Sequence, residues 1–234
     1  MKKYAGKCIC KKMLMLCCVL AFTAVSCATS GYYRLDVRYT PQTEPKTADS
    51  SMQQHMITVA QFNDARNALD KSVIGKQIHA DGSELKAVSK KMQPTAEVVG
   101  TAFKDAFFKN GYTVFGGLPD WDGNERTIQK GWGNLVVGGF IEELDVVCST
   151  GFLSATYETK VKLRVVFGEV QHKRILFTTT LESSSSYKHF YFSQARMEQE
   201  INNALSLAIE KMFANNKVEE LIDEISRVRG TSIQ

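Results

Sequence analysis

Beyond residue 27 this 234-residue chain has a single cysteine, Cys148. One thiol cannot close an internal disulfide, so the body must stand on its hydrophobic core. A body of about 200 residues is long enough to build one. Membrane-spanning runs are also missing: the apolar stretch over residues 13–25 falls short of the ~20 helical residues that cross a bilayer. HExxH, CxxC, a phosphate-binding loop and a Gly-x-Ser-x-Gly elbow are all absent. The four histidines, His55, His79, His172 and His189, show no ligand spacing, so no metal or cofactor is expected. No internal repeat or long low-complexity segment is visible.

Acidic residues are absent from the first 26 positions, where Lys2, Lys3, Lys7, Lys11 and Lys12 precede the apolar run. A basic head, an apolar middle and a small-residue exit make a secretory signal over 1–26. Four of the six cysteines fall inside it. Ala24-Val25-Ser26-Cys27 resembles a bacterial lipoprotein lipobox, with Ala24 where Leu is usual. The resemblance implies that Cys27 takes a diacylglyceryl thioether and becomes the mature N-terminus, acylated by chains such as palmitate. Without the leader the chain carries 24 basic against 25 acidic residues, a net of −1 in place of +4. That balance removes the bulk-charge case for a nucleic-acid partner.

Residues 27–54 read as a lipidated N-terminus and tether, with a short strand over 32–39 and a Pro-containing linker over 40–47. Residues 56–62 predict a strand. Residues 76–92 are polar and ambiguous apart from an Asp81-Gly82 turn. The stripe Val98, Val99, Ala102, Phe103, Ala106 and Phe107 predicts a helix over 94–110, stopped by Asn110-Gly111. A short strand over 112–115 follows. Three strands are then expected, over 135–147, 155–167 and 174–183. The middle one alternates clearly, with Thr156, Glu158, Lys160, Lys162 and Arg164 on its wet face. Gly138-Gly139 in the first suggests a bulge or close backbone contact. A second long helix covers 193–213. A shorter amphipathic helix and tail occupy 217–234 and are expected to dock on the domain itself. The sum is an α+β fold over 55–216: a two-layer sandwich whose mainly antiparallel sheet is covered on one face by two long amphipathic helices.

Candidate sites are few. Trp121 and Trp132 flank a Gly-rich stretch and could anchor a partner, although core packing explains them equally well. The segment 120–125 places its Gly and Glu wrongly for a calcium loop, so an Asp-Gly turn is expected. Lys160, Lys162 and Arg164 form an exposed basic row suited to partner binding. Cys148 reads as a buried, inert thiol. Glu143 and Asp145 are same-face neighbours on a wet strand. The run 183–186 offers four serines without a nucleophile–base spacing, so the chain is read as a non-enzyme. An envelope hydrolase acting through Asp64, Glu142 or serine is the weaker alternative.

Across about residues 57–213 the chain resembles the YajG-like bacterial lipoproteins. The residues that carry this are Ile57-Thr58-Val59-Ala60-Gln61-Phe62 with Asp64 and Arg66, then Ile74-Gly75. Phe107-Phe108-Lys109-Asn110-Gly111-Tyr112-Thr113-Val114 and residues 135–144 (LVVGGFIEEL) continue the order. The resemblance implies a lipid-anchored domain without catalytic residues, acting as a binding or accessory module for an unknown envelope protein partner. Ala28 after Cys27, where Asp would retain a lipoprotein in the inner membrane, implies outer-membrane sorting with the body facing the periplasm. A small-ligand carrier with a pocket between sheet and helices is the alternative.

Overall fold

A computed structural model describes residues 31–43 and 56–215, together with Val218 and Glu220. Cys27 and the leader therefore lie outside the described residues, as does most of the helix expected over 217–234. The described strands are β1 (Tyr33–Leu35), β2 (Met56–Val59), β3 (Asn63–Asp64), β4 (Val73–Ile78), β5 (Glu84–Ser89), β6 (Thr113–Val114), β7 (Leu135–Thr150), β8 (Ala155–Glu169) and β9 (Arg174–His189). The helices are α1 (Thr95–Lys109) and α2 (Gln194–Phe213).

β7 is the spine of a single nine-stranded sheet. On one edge it pairs antiparallel with β8, which pairs antiparallel with β9. On the other edge three short strands lie end to end along it, all parallel: β2 at Leu135–Val137, β3 at Phe140 and Ile141, and β4 at Val146–Ser149. The segment expected as one strand over 56–62 holds strand only to Val59; Gln61 makes an isolated bridge to Asp120, and β3 follows just beyond, along the same neighbour. The polar stretch 76–92 proves to hold strand. β4 and β5 form a hairpin around the Asp81-Gly82 turn, where Gly82 has φ +83°. The glycine pair in β7 marks a close approach. A Cβ on Gly139 would lie 2.0 Å from the Arg164 carbonyl oxygen, and Gly139 has φ +155°.

Periodicity decides the layers. Along β7, Leu135, Val137, Ile141, Leu144, Val146 and Cys148 enter one core with Tyr157, Val161, Leu163, Val165 and Phe167 of β8. α1 and α2 cover this face with the expected stripes, Val99, Ala102, Phe103, Ala106 and Phe107 meeting Met197, Ile201, Leu205, Ala208 and Met212. Phe62 joins the sheet side to α1, 4.6 Å from Phe103 between centroids, and Phe107 joins α1 to α2, 5.2 Å from Phe213. Helix boundaries follow local chemistry. Pro94 precedes α1, where its missing N–H costs nothing. The Ser193 hydroxyl accepts from Arg196 N at α2.

The N-terminal segment is not a free tether over its described part. β1 is a strand of the sheet, parallel to β5, and Leu35 is fully buried. Residues 36–42 then strap α2. Asn202 accepts from Arg38 N at 3.0 Å and donates to Asp36 O at 3.0 Å. Glu198 accepts from Asp36 N, Ser206 Oγ from Thr40 N and Glu210 from Gln42 N. A polar stripe on a helix supplies what a neighbouring strand would, satisfying backbone that would otherwise be orphaned. Val218 is buried in the main core, so the start of the C-terminal segment docks on the domain.

Candidate functional site

Among the described residues, the sheet's second face is covered at one end only. Residues 116–134 cross it and build a small second core of Ala60, Trp121, Ile128, Trp132, Val136, Val166 and Val170. Trp121 and Trp132 are 3% and 9% exposed, so neither is an exposed partner anchor. Trp121 Nε1 donates to Asn124 O at 3.0 Å, and its ring closes over Gly138, where a Cβ would lie 2.9 Å away. The turn expected over 120–125 is present. Asp122 accepts from Asn124 N and from the Thr127 hydroxyl, and the Thr127 bond chiefly holds its carboxyl below the usual carboxylate range.

Past this plug the outer face of β7–β9 lies open and charged. The register brings the basic row of β8 against acids on both neighbours: Lys160 between Asp145 and Ser184, Lys162 between Glu143 and Glu182. Lys162 Nζ lies 3.2 Å from Glu182 and 3.7 Å from Glu142. Arg164 reaches the same Glu142 at 3.2 Å, with its guanidinium 4.2 Å from the Phe140 ring centroid. Lys162 is held above the usual lysine range by the Glu182 hydrogen bond and charge, then by Glu142. The three basic residues named from the sequence thus share one face, interleaved with acids. The sequence shows the row but not its partners, because partner choice is set by strand register and by the irregularity between Ile141 and Glu143.

An open groove of 550 Å³ borders this ladder, lined by Lys76, Glu142, Glu143, Asp145 and Lys160 beside residues 66–68. Asp145 keeps solvent contact, but the crowding of its carboxyl raises its pKa despite the opposing pull of Lys76, Arg66 and Lys160. The groove joins both signs of charge within one depression, which suits hydrogen bonding and ion pairing to a polar ligand surface.

The alternative hydrolytic residues are placed as follows. Both oxygens of Asp64 bind Arg66, at 2.9 and 2.7 Å. Glu142 is engaged by Lys162 and Arg164. Ser183–Ser186 lie within β9. Cys148 is buried, and desolvation pushes its thiol up to about 11. Among the described residues no group of three or more His, Cys, Asp or Glu side chains could hold a metal ion. No described helix is long and apolar enough to cross a membrane.

No family model and no curated protein sequence matches the chain. Solved structures match at a distance. A Xanthomonas campestris protein described under the family DUF330 is 13% identical, with a TM-score of 0.46 over 87% of this chain and 100% of its own. A Helicobacter pylori protein described as a homologue of a neuraminyllactose-binding hemagglutinin is 12% identical, with a TM-score of 0.45 over 80% of this chain and 98% of its own. A third, uncharacterised protein is 7% identical at a TM-score of 0.40, over 80% of this chain and 99% of its own.

Proposed function

We propose that this chain is a YajG-like lipoprotein of the bacterial envelope, held by acylated Cys27 on the outer membrane and facing the periplasm. It acts there as a non-catalytic binding module, and the open face of β7–β9 is the surface that meets an envelope protein partner. The observation that supports this most is the unequal treatment of the sheet's two faces. One is sealed by two helices. The other exposes Lys160, Lys162 and Arg164 with Glu142, Glu143, Asp145 and Glu182 along strands of 15 and 16 residues. Such a ladder adds little stability, because exposed ion pairs are worth about 0–1 kcal/mol each. Its alternating charge does favour one register of docking and repels mismatched surfaces.

The test is photo-crosslinking in intact cells, with the crosslinker in place of Lys160 or Arg164 and, as control, in place of exposed Lys91. A discrete crosslinked protein from the β8 positions and none from 91 is expected. Identical, featureless profiles from all three would remove the open face as the docking surface.

A further inference from the structure

One end of the sheet carries exposed apolar side chains in a cluster. Phe152 and Leu153, at the tip of the β7–β8 hairpin, are 97% and 73% exposed. Phe190 and Tyr191, just past β9, are 82% and 67% exposed. Strand register sets them side by side, since Thr150 faces Ala155 across the hairpin and Ala155 faces His189 on β9. His189 bridges the group, 4.5 Å from the Tyr191 ring. Clustered apolar exposure of this kind is uncommon on a monomeric domain unless something covers it. The opposite end differs: in the β8–β9 turn Val170 is buried and the exposed residues, Gln171, His172 and Lys173, are polar.

The N-terminal segment enters at the apolar end. β1 runs parallel to β5, β5 antiparallel to β4, and β4 parallel to β7. β1 therefore runs opposite to β7. Read from Leu35 back to Tyr33, β1 points toward the end where β7 finishes. The Tyr33 ring packs 4.9 Å from Phe192, the neighbour of Tyr191. Through Ala87 and Gly75, Tyr33 stands level with Val146, four residues short of Thr150. That is about 13 Å at strand rise. Cys27 precedes Tyr33 by six residues, which reach at most about 20 Å. The strap on α2 and the pairing of β1 fix Tyr33 to the domain, so this short link cannot be lengthened by releasing more chain.

We infer that the aromatic end, Phe152, Leu153, Phe190 and Tyr191, is a membrane-contact surface seated in the interface of the bilayer that holds the acyl chains of Cys27. This inference rests on the lipid-anchor reading above. A link that only just reaches past the hairpin tip leaves this end facing the bilayer. It also holds the tip at high effective concentration over the lipid. Aromatic side chains favour the headgroup level of a bilayer. The open charged face then stands roughly along the membrane normal, accessible from the side.

The test uses the mature lipoprotein in vesicles of phosphatidylethanolamine and phosphatidylglycerol containing brominated lipid. An environment-sensitive fluorophore is placed at Leu153→Cys or Tyr191→Cys, with Gln171→Cys as the far-end control. Acylation is read separately, from flotation and from the mass of the N-terminal fragment. Acylated, floating protein with a blue-shifted, quenched probe at 153 and 191 and a wet probe at 171 is expected. Acylated, floating protein with all three probes wet overturns the inference and leaves the anchor intact. Energy transfer between tips in place of lipid quenching means that a second copy covers the surface, and also overturns it. Protein that neither floats nor carries acyl mass overturns the anchor itself, and the inference falls with it. A Phe152→Ser, Phe190→Ser double variant should float unchanged but lose quenching at 191.

Discussion

Arg66 grips Asp64 with two parallel bonds, Nε to Oδ1 at 2.9 Å and Nη2 to Oδ2 at 2.7 Å. The same guanidinium donates to the carbonyls of Val73, Leu144 and Lys71 and to the Thr95 hydroxyl. One 7%-exposed side chain thus ties the 65–72 loop, the spine strand β7 and the first turn of α1 together. Arg66→Met should cost about 2–4 kcal/mol, because it leaves several carbonyls without their donor and the half-buried Asp64 with only Lys71, at 3.7 Å, for a partner. Urea unfolding measures this, and a loss below about 1 kcal/mol would show that the clamp is dispensable.

Acid should loosen the same clamp. Burial pushes the Asp64 carboxyl up, but the hydrogen bonds and charge of Arg66 outweigh it and hold the group below its ordinary range. Glu169 behaves alike: burial raises it, and His172 and Arg174 bring it lower. A carboxylate depressed in the folded state stabilises fully above its unfolded pKa, about 4, and that share is lost as pH falls through the folded value. Stability should therefore drop below pH ~4 in the wild type, and less steeply in Asp64→Asn. Thermal melts across pH 2–7 compare the two slopes; parallel curves would contradict the assignment.

The strap predicts a local effect. Asn202→Ala removes the donor and acceptor that hold Asp36 and Arg38 to α2. A loss of about 0.5–1.5 kcal/mol is expected for the two part-buried hydrogen bonds removed. Proteolysis should then begin within 36–43 before the rest of the domain is cut. Unchanged cleavage order would show that β1 alone retains the segment.

Much of the architecture was legible because it is written in burial periods. The β8 alternation and the α1 and α2 stripes follow from residues that need one dry face, and all three elements form close to the expected bounds. β9 runs on through Ser183–Ser186 to His189, beyond the expected end at 183, because serines on an edge strand pair by backbone and leave no apolar signal. β4 and β5 were obscured because Gly75, Lys76 and Gln77 interrupt the apolar run of β4, and β5 offers only Leu85, Ala87 and Val88 as apolar signal. The strap was hidden by Pro41 and its polar residues; its partners are side chains about 160 positions away. Trp121 and Trp132 could not be placed from composition, since their burial depends on a loop folding over the sheet's second face. Of the open face, the basic row of β8 and the acids Glu143 and Asp145 of β7 were visible, but their pairing with each other and with Glu182 of β9 was not, because register joins them.

Burial should also silence Cys148. Its thiol lies fully inside the core, with desolvation pushing its pKa up to about 11. Maleimide at pH 7.5 should leave it unmodified in the folded protein and label it once urea unfolds the chain, as mass spectrometry would record. Prompt labelling of the native protein would contradict the packing around Tyr157.

The central claim is the anchor at Cys27, from which the orientation of the domain and the use of its open face follow. Its most direct measurement is the intact mass and N-terminal fragment spectrum of mature protein purified from the envelope of its own host. The account predicts a chain beginning at Cys27 and carrying a diacylglyceryl group, absent after Cys27→Ala. A mature chain that begins at another residue and bears no lipid would contradict it.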